Sequence, residues 1–145
     1  MTSTAKPSVT MGTNGTQPVV DGDPTQPIGG VPGAPSVARA QILTTRVVGG
    51  RADAVTMTAP FTGQPIVSLP QASDAEARVA FDVARQAQRS WAATPVAERQ
   101  EFLGRLMRLI LDYQDEALDL IQVESGKSRM DAYDEVAGSA LAASY

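Results

Sequence analysis

The sequence predicts a short β-hairpin followed by three mainly amphipathic α-helices, behind a structureless Thr/Pro/Gly-rich tail. Three observations carry this prediction. Pro18, Pro24, Pro27, Pro32 and Pro35 recur at short intervals near the start. A Pro60-Phe61-Thr62-Gly63 turn then separates two short extended runs. From Ser73 onward, apolar residues recur at steps of three and four between recognisable helix signals.

Residues 1–46 form the expected tail. Neither a helical nor a strand period of apolar residues survives there, and such a segment buries too little surface to offset its ordering entropy. Gly29-Gly30-Val31-Pro32-Gly33 has the composition of a phosphate loop. No predicted strand precedes it and no predicted helix follows, so the reading is a flexible tail, with Met11 as an alternative start.

Order is expected to begin near Val47, giving a second region over residues 47–145. Ala54–Thr58 and Pro65–Leu69 read as paired strands. Pro60 presets φ and Gly63 admits positive φ in the turn between them. Pro65 and Pro70 keep the second strand short and near an edge.

The first helix is expected from Ser73 to Ala93. Ser73-Asp74-Ala75-Glu76 fits a capping box, and Ala77, Ala80, Phe81, Ala84, Ala87 and Trp91 share one face. The second is expected to start at Thr94-Pro95 and run to Glu124, with Thr94 as N-cap and Gly126 as a left-handed C-cap. Its stripe of Leu103, Leu106, Ile110, Tyr113, Ala117 and Leu120 is widened by Phe102, Met107, Leu109, Leu118 and Ile121, wide enough for more than one neighbour. The third starts at Ser128, with Met130, Tyr133, Val136, Ala137, Ala140 and Leu141 on its apolar face. It carries no stop signal before Tyr145, as if the sequence ended inside an element.

Composition narrows the chemistry. The chain has 145 residues, 5% aromatics and abundant alanine, so its core is thin for its length and is expected to lean on further structure. The net charge of −4 disfavours nucleic acid as a partner. No apolar run approaches a membrane span and no secretory signal is present, so the expected location is cytoplasmic. There is no Cys and no His, which removes disulfides, thiolate zinc sites, Cys nucleophiles and imidazole bases.

Several segments, in order, resemble one family. They are Pro60-Phe61-Thr62-Gly63-Gln64, then Ile66, Leu69-Pro70 and Ala72-Ser73. Ala80, Ala84-Arg85, Ala87-Gln88 and Trp91 follow on the alanine-rich helix, and Pro95, Glu98-Arg99 and Leu103 on the next. Glu124-Ser125-Gly126-Lys127 and Asp134-Glu135-Val136 complete the set. Together they resemble the N-terminal portion of the NAD(P)-dependent aldehyde dehydrogenase superfamily, and the Phe61-Thr62-Gly63 turn with Pro65 after it looks nearest to bacterial succinate-semialdehyde dehydrogenases.

The resemblance implies an α/β parent fold with a Rossmann-like cofactor domain, of which residues 47–145 would be a truncated N-terminal part. It implies a homo-oligomeric parent enzyme that oxidises an aldehyde to an acid with NAD or NADP. In that family a Cys thiolate attacks the aldehyde, hydride leaves the thiohemiacetal for the nicotinamide, and a Glu activates water to hydrolyse the thioester. The Cys and the Glu-Leu-Gly-Gly-Lys segment that bears the Glu are absent from this chain. No catalytic, cofactor-binding or metal residue is therefore carried over, and the chain alone is expected to be inactive and to bind no cofactor. The implied partners are the rest of the dehydrogenase fold and, for the parent, an aldehyde. The alternative is a non-enzymatic helical interaction module that binds a homologous dehydrogenase.

Some residues invite a functional reading. Lys127 reads as a cation at a helix C-terminus or a partner for Glu124. Asp112, Asp115, Glu116 and Asp119 read as a solvated acidic face with Arg105 and Arg108 upstream. Tyr113, Tyr133 and Trp91 read as core or packing residues.

Overall fold

The computed structural model describes residues 18–47 and 54–144. Its elements are α1 (Val37–Leu43), β1 (Val55–Thr58), β2 (Pro65–Leu69), α2 (Asp74–Ala93), α3 (Val96–Asp112), α4 (Gln114–Ser125) and α5 (Arg129–Ala143). Single 3-10 turns at Ile28–Gly30 and Thr44–Arg46 flank α1.

The expectation of a structureless tail is corrected for residues 18–46; residues 1–17, including Met11, lie outside the described residues. Val20, Ile28, Val37 and Ala40 of this stretch are buried. Val20 and Ile28 are placed by separate bridges and turns, and only Val37 and Ala40, three residues apart on α1, share a helical period. Asp23 accepts from the amide and hydroxyl of Thr25, at 2.9 and 2.7 Å, which also holds its carboxyl below the usual range. Pro27 and Ser36 form an isolated antiparallel bridge, with the Ile28 amide donating to the Pro35 carbonyl at 2.9 Å. Ser36 caps α1 by accepting from the Arg39 amide. The prolines fix φ in advance, so they lower the entropy lost on ordering this segment.

The hairpin forms as expected, antiparallel, with Val55 opposite Leu69 and Thr56 opposite Ser68. An irregularity between Met57 and Thr58 shifts the register. It lets the consecutive residues Ile66 and Val67 both be buried, which strict alternation forbids. β2 is not an edge at Ser68. The Val19 amide donates to the Ser68 carbonyl at 3.0 Å, and the Ser68 amide donates back at 2.8 Å.

The capping box at Ser73 and Glu76 is present, and it holds the Glu76 carboxyl below its usual range. α2 nevertheless buries no residue, and its alanine face is left exposed apart from Trp91, which packs on Phe102 of α3. The second predicted helix is two helices. The chain breaks at Tyr113 (φ −104°, ψ 15°), and Asp115 and Glu116 then occupy the first turn of α4, where the helix dipole favours carboxylates. This break lets the wide apolar stripe serve two directions. Thr94 does not cap α3: its hydroxyl donates back to the Ser90 carbonyl at 3.1 Å, and Pro95 takes the N-cap position with no side-chain bond. Gly126 (φ 72°) ends α4 as expected, and Ser128 caps α5 by accepting from the Asp131 amide. With α1 and the break, the described residues hold five α-helices where three were expected.

Two small cores result. In the first, Val20, Ile28, Val37 and Ala40 pack with Ala59, Ile66 and Val67 of the hairpin region and Val123 of α4. In the second, Leu118 of α4 packs with Ala132 and Val136 of α5, backed by Ile110, Ala117 and Ile121. α4 is common to both.

Candidate functional site

Of the charged groups that invite a catalytic reading, Asp115, Glu116, Asp119 and Lys127 are tied into structural pairs, while Asp112 is exposed at the end of α3. Arg129 of α5 donates to Asp119 at 2.5 Å, to Gln122 at 3.0 Å and to Asp115 at 3.4 Å, joining α5 to α4. Glu116 accepts a two-pronged contact from Arg39, at 2.5 Å from Nε and 2.7 Å from Nη2. The Arg39 guanidinium thereby holds the Glu116 carboxyl below the usual carboxylate range. The acidic face of α4 is thus a fastening surface for α1 and α5. Its partners are Arg39 and Arg129, not the upstream arginines. Arg105 instead lies over the Phe102 ring, 5.7 Å from its centroid. Among the described residues, no group of three or more acidic, Cys or His side chains could hold a metal ion.

Lys127 pairs with Glu135 of α5, not with Glu124. Gly29-Gly30-Val31-Pro32-Gly33 is no phosphate cradle. Gly29 is buried, a Cβ placed there would lie 2.7 Å from Ala59 Cβ, and its carbonyl already accepts from the Thr62 hydroxyl at 2.5 Å. These residues do not fit a dinucleotide, which needs free amides facing an open loop.

What remains is apolar and exposed. Phe81 and Trp91 of α2, Phe102, Leu106 and Leu109 of α3, and Met130, Tyr133 and Leu141 of α5 are all solvent-facing. Tyr113 and Tyr133, expected as core, are about half exposed at 56% and 50%. Trp91 does pack, edge to face, on Phe102 with ring centroids 5.6 Å apart. A groove lined by Ile110, Tyr113, Ala117, Ile121 and Val136 runs between α3–α4 and α5. An apolar groove of this kind has the chemistry of an interface. Sequence reasoning missed Arg39 and Gly29. The signal for Arg39 was the Ser36 N-cap followed by Val37 and Ala40 three residues apart.

Comparison with known proteins decides the family. The aldehyde dehydrogenase family model matches residues 48–145. The chain belongs to the aldehyde dehydrogenase family. A succinate-semialdehyde dehydrogenase [NADP(+)] 2 of Mycobacterium ulcerans is 38% identical over 85 residues, covering 59% of this chain and 16% of that protein. An NADP(+)-named succinate-semialdehyde dehydrogenase of Mycolicibacterium smegmatis has the same identity and coverage, 38% over 85 residues, 59% and 16%. Malonate-semialdehyde dehydrogenase 2 of Bacillus cereus is 35% identical over 77 residues, covering 53% of this chain and 16% of that protein. The crystal structure of an NAD-dependent benzaldehyde dehydrogenase from Corynebacterium glutamicum matches with a TM-score of 0.65 and 28% identity, over 84% of this chain and 24% of that one.

This aldehyde dehydrogenase chain therefore aligns with about one sixth of the length of these curated relatives. The structural match covers more of the chain than residues 48–145 alone can supply, so the likeness takes in part of the segment before residue 48. Among the described residues, no helix is long and apolar enough to cross a membrane.

Proposed function

We propose that this chain is the N-terminal portion of a cytoplasmic, homo-oligomeric oxidoreductase that oxidises an aldehyde to a carboxylic acid with NAD(+) or NADP(+). Succinate semialdehyde is the substrate favoured by the names of the relatives. The role of residues 47–145 is structural: a hairpin and helices at the edge of the cofactor-binding domain. The observation that carries this reading is the family match in a chain with no cysteine. The family's reaction needs a thiolate to form the covalent adduct, and this chain has no Cys to supply one. The exposed apolar faces of α2, α3 and α5 support the same reading, because they suit burial under the remainder of a larger fold.

The isolated chain is expected to give no aldehyde-dependent reduction of NAD(+) or NADP(+), measured with succinate semialdehyde by absorbance of the reduced nicotinamide. Turnover that co-purifies with the chain through successive columns would overturn the claim that it is inert alone.

A second reading rests on the same exposed helix faces: a non-enzymatic helical module that binds a homologous dehydrogenase. A chain that stays monomeric and does not bind a full-length homologue in sedimentation would exclude it.

A further inference from the structure

The first core lies between the hairpin and α4, and residues 18–46 supply what fills it. Ala59, Ile66 and Val67 form one wall and Val123, backed by Leu120, forms the other. Val20, Ile28, Val37 and Ala40 fill it. These residues all precede the family match. Three polar ties fix the occupant at separate points. Val19 pairs with Ser68 through two backbone hydrogen bonds, Thr62 donates to the Gly29 carbonyl, and Arg39 grips Glu116 at the start of α4. β2 packs on the Ile28–Gly30 turn more extensively than on α4 itself. The hairpin's hold on the helices therefore runs largely through this segment. By contrast α5 packs on α3 and α4 through a core to which residues 18–46 contribute nothing.

We propose that residues 18–46 are a clasp that fastens the β1–β2 hairpin to α4, and that clasp and hairpin open as one unit while α3, α4 and α5 stay folded. Cooperative units of local unfolding follow contiguous cores, and here the two cores share only α4. The clasp extends the fold unit beyond the stretch the family model matches, and it holds whether or not the proposed catalytic parentage does.

Hydrogen exchange on the whole chain tests it, in the wild type and in two variants. Val37→Asp puts an unpaired charge into the first core, and Arg39→Ala removes only the grip on Glu116. In Val37→Asp, amides of α1 and the hairpin's own amides of Ala59 and Val67 are expected to exchange faster together, by about tenfold or more, with Ala132 to Val136 at the wild-type rate. Arg39→Ala is expected to show the same pattern with a smaller change. If the hairpin stays protected after α1 is freed, the clasp is overturned. If in Arg39→Ala α5 loses protection in step with the hairpin, the separate unit is overturned.

Discussion

Gly29→Ala is expected to lower the stability of the chain by about 2–5 kcal/mol, more than any other single-methyl addition at a glycine among the described residues. Two costs combine. Gly29 has φ 61° and ψ 9°, a left-handed conformation that costs an L-residue roughly 1–2 kcal/mol. The added Cβ would also lie 2.7 Å from Ala59 Cβ, 3.3 Å from Ile66 Cγ1 and 3.4 Å from Val123 Cγ2. Ala59 and Val123 are fully buried and cannot swing aside, so the backbone must move, at a further cost of about 1–3 kcal/mol. In Gly126→Ala the added Cβ meets Pro60 no closer than 3.3 Å and Phe61 at 3.9 Å, so its loss should be smaller despite a similar φ of 72°. Urea unfolding followed by circular dichroism checks the order. Equal midpoints for Gly29→Ala and wild type would show that residues 28–30 are not packed as described.

Leu118→Ala is expected to cost about 2–4 kcal/mol, acting on the other core. Leu118 is 5% exposed and is the largest of the three buried residues there, beside Ala132 and Val136. Alanine neighbours cannot expand to fill the space, so most of the cavity persists. Against a typical total of about 5–15 kcal/mol, such a loss leaves little margin in a thin core. Leu109→Ala and Leu141→Ala are the controls. These side chains are 53% and 60% exposed, so removing them should change stability by no more than about 0.5 kcal/mol. Large apolar residues whose loss costs nothing in the isolated chain fit a surface that works only when covered. A thermal melt in which Leu109→Ala matches the loss in Leu118→Ala would contradict this division between core and interface.

Legibility in the sequence followed the range of the interaction. The capping box at Ser73, the left-handed Gly126 and the Ser128 cap were readable because each depends on residues within a turn of one another. The break at Tyr113 was not, because no Pro or Gly marks it and the apolar stripe runs through it unbroken. Thr94 misled because a Thr before Pro has the right chemistry for an N-cap, yet its hydroxyl serves the preceding helix. The segment 18–46 was hidden because isolated bridges, short turns and one seven-residue helix position its buried residues, which leaves only Val37 and Ala40 in period. At the level of chemistry, the missing Cys and His were plain from composition. The Arg39–Glu116 tie was not, because 77 positions separate its partners.

The most direct test of the proposed parentage is to read the coding sequence through and past the codon for Tyr145. Continuation of the frame into Rossmann-type strands, a Glu-Leu-Gly-Gly-Lys segment and a Cys-bearing segment is the predicted result. A stop codon at that point, with no dehydrogenase coding beyond it in any frame, would contradict it and leave the chain a stranded remnant or a binding module.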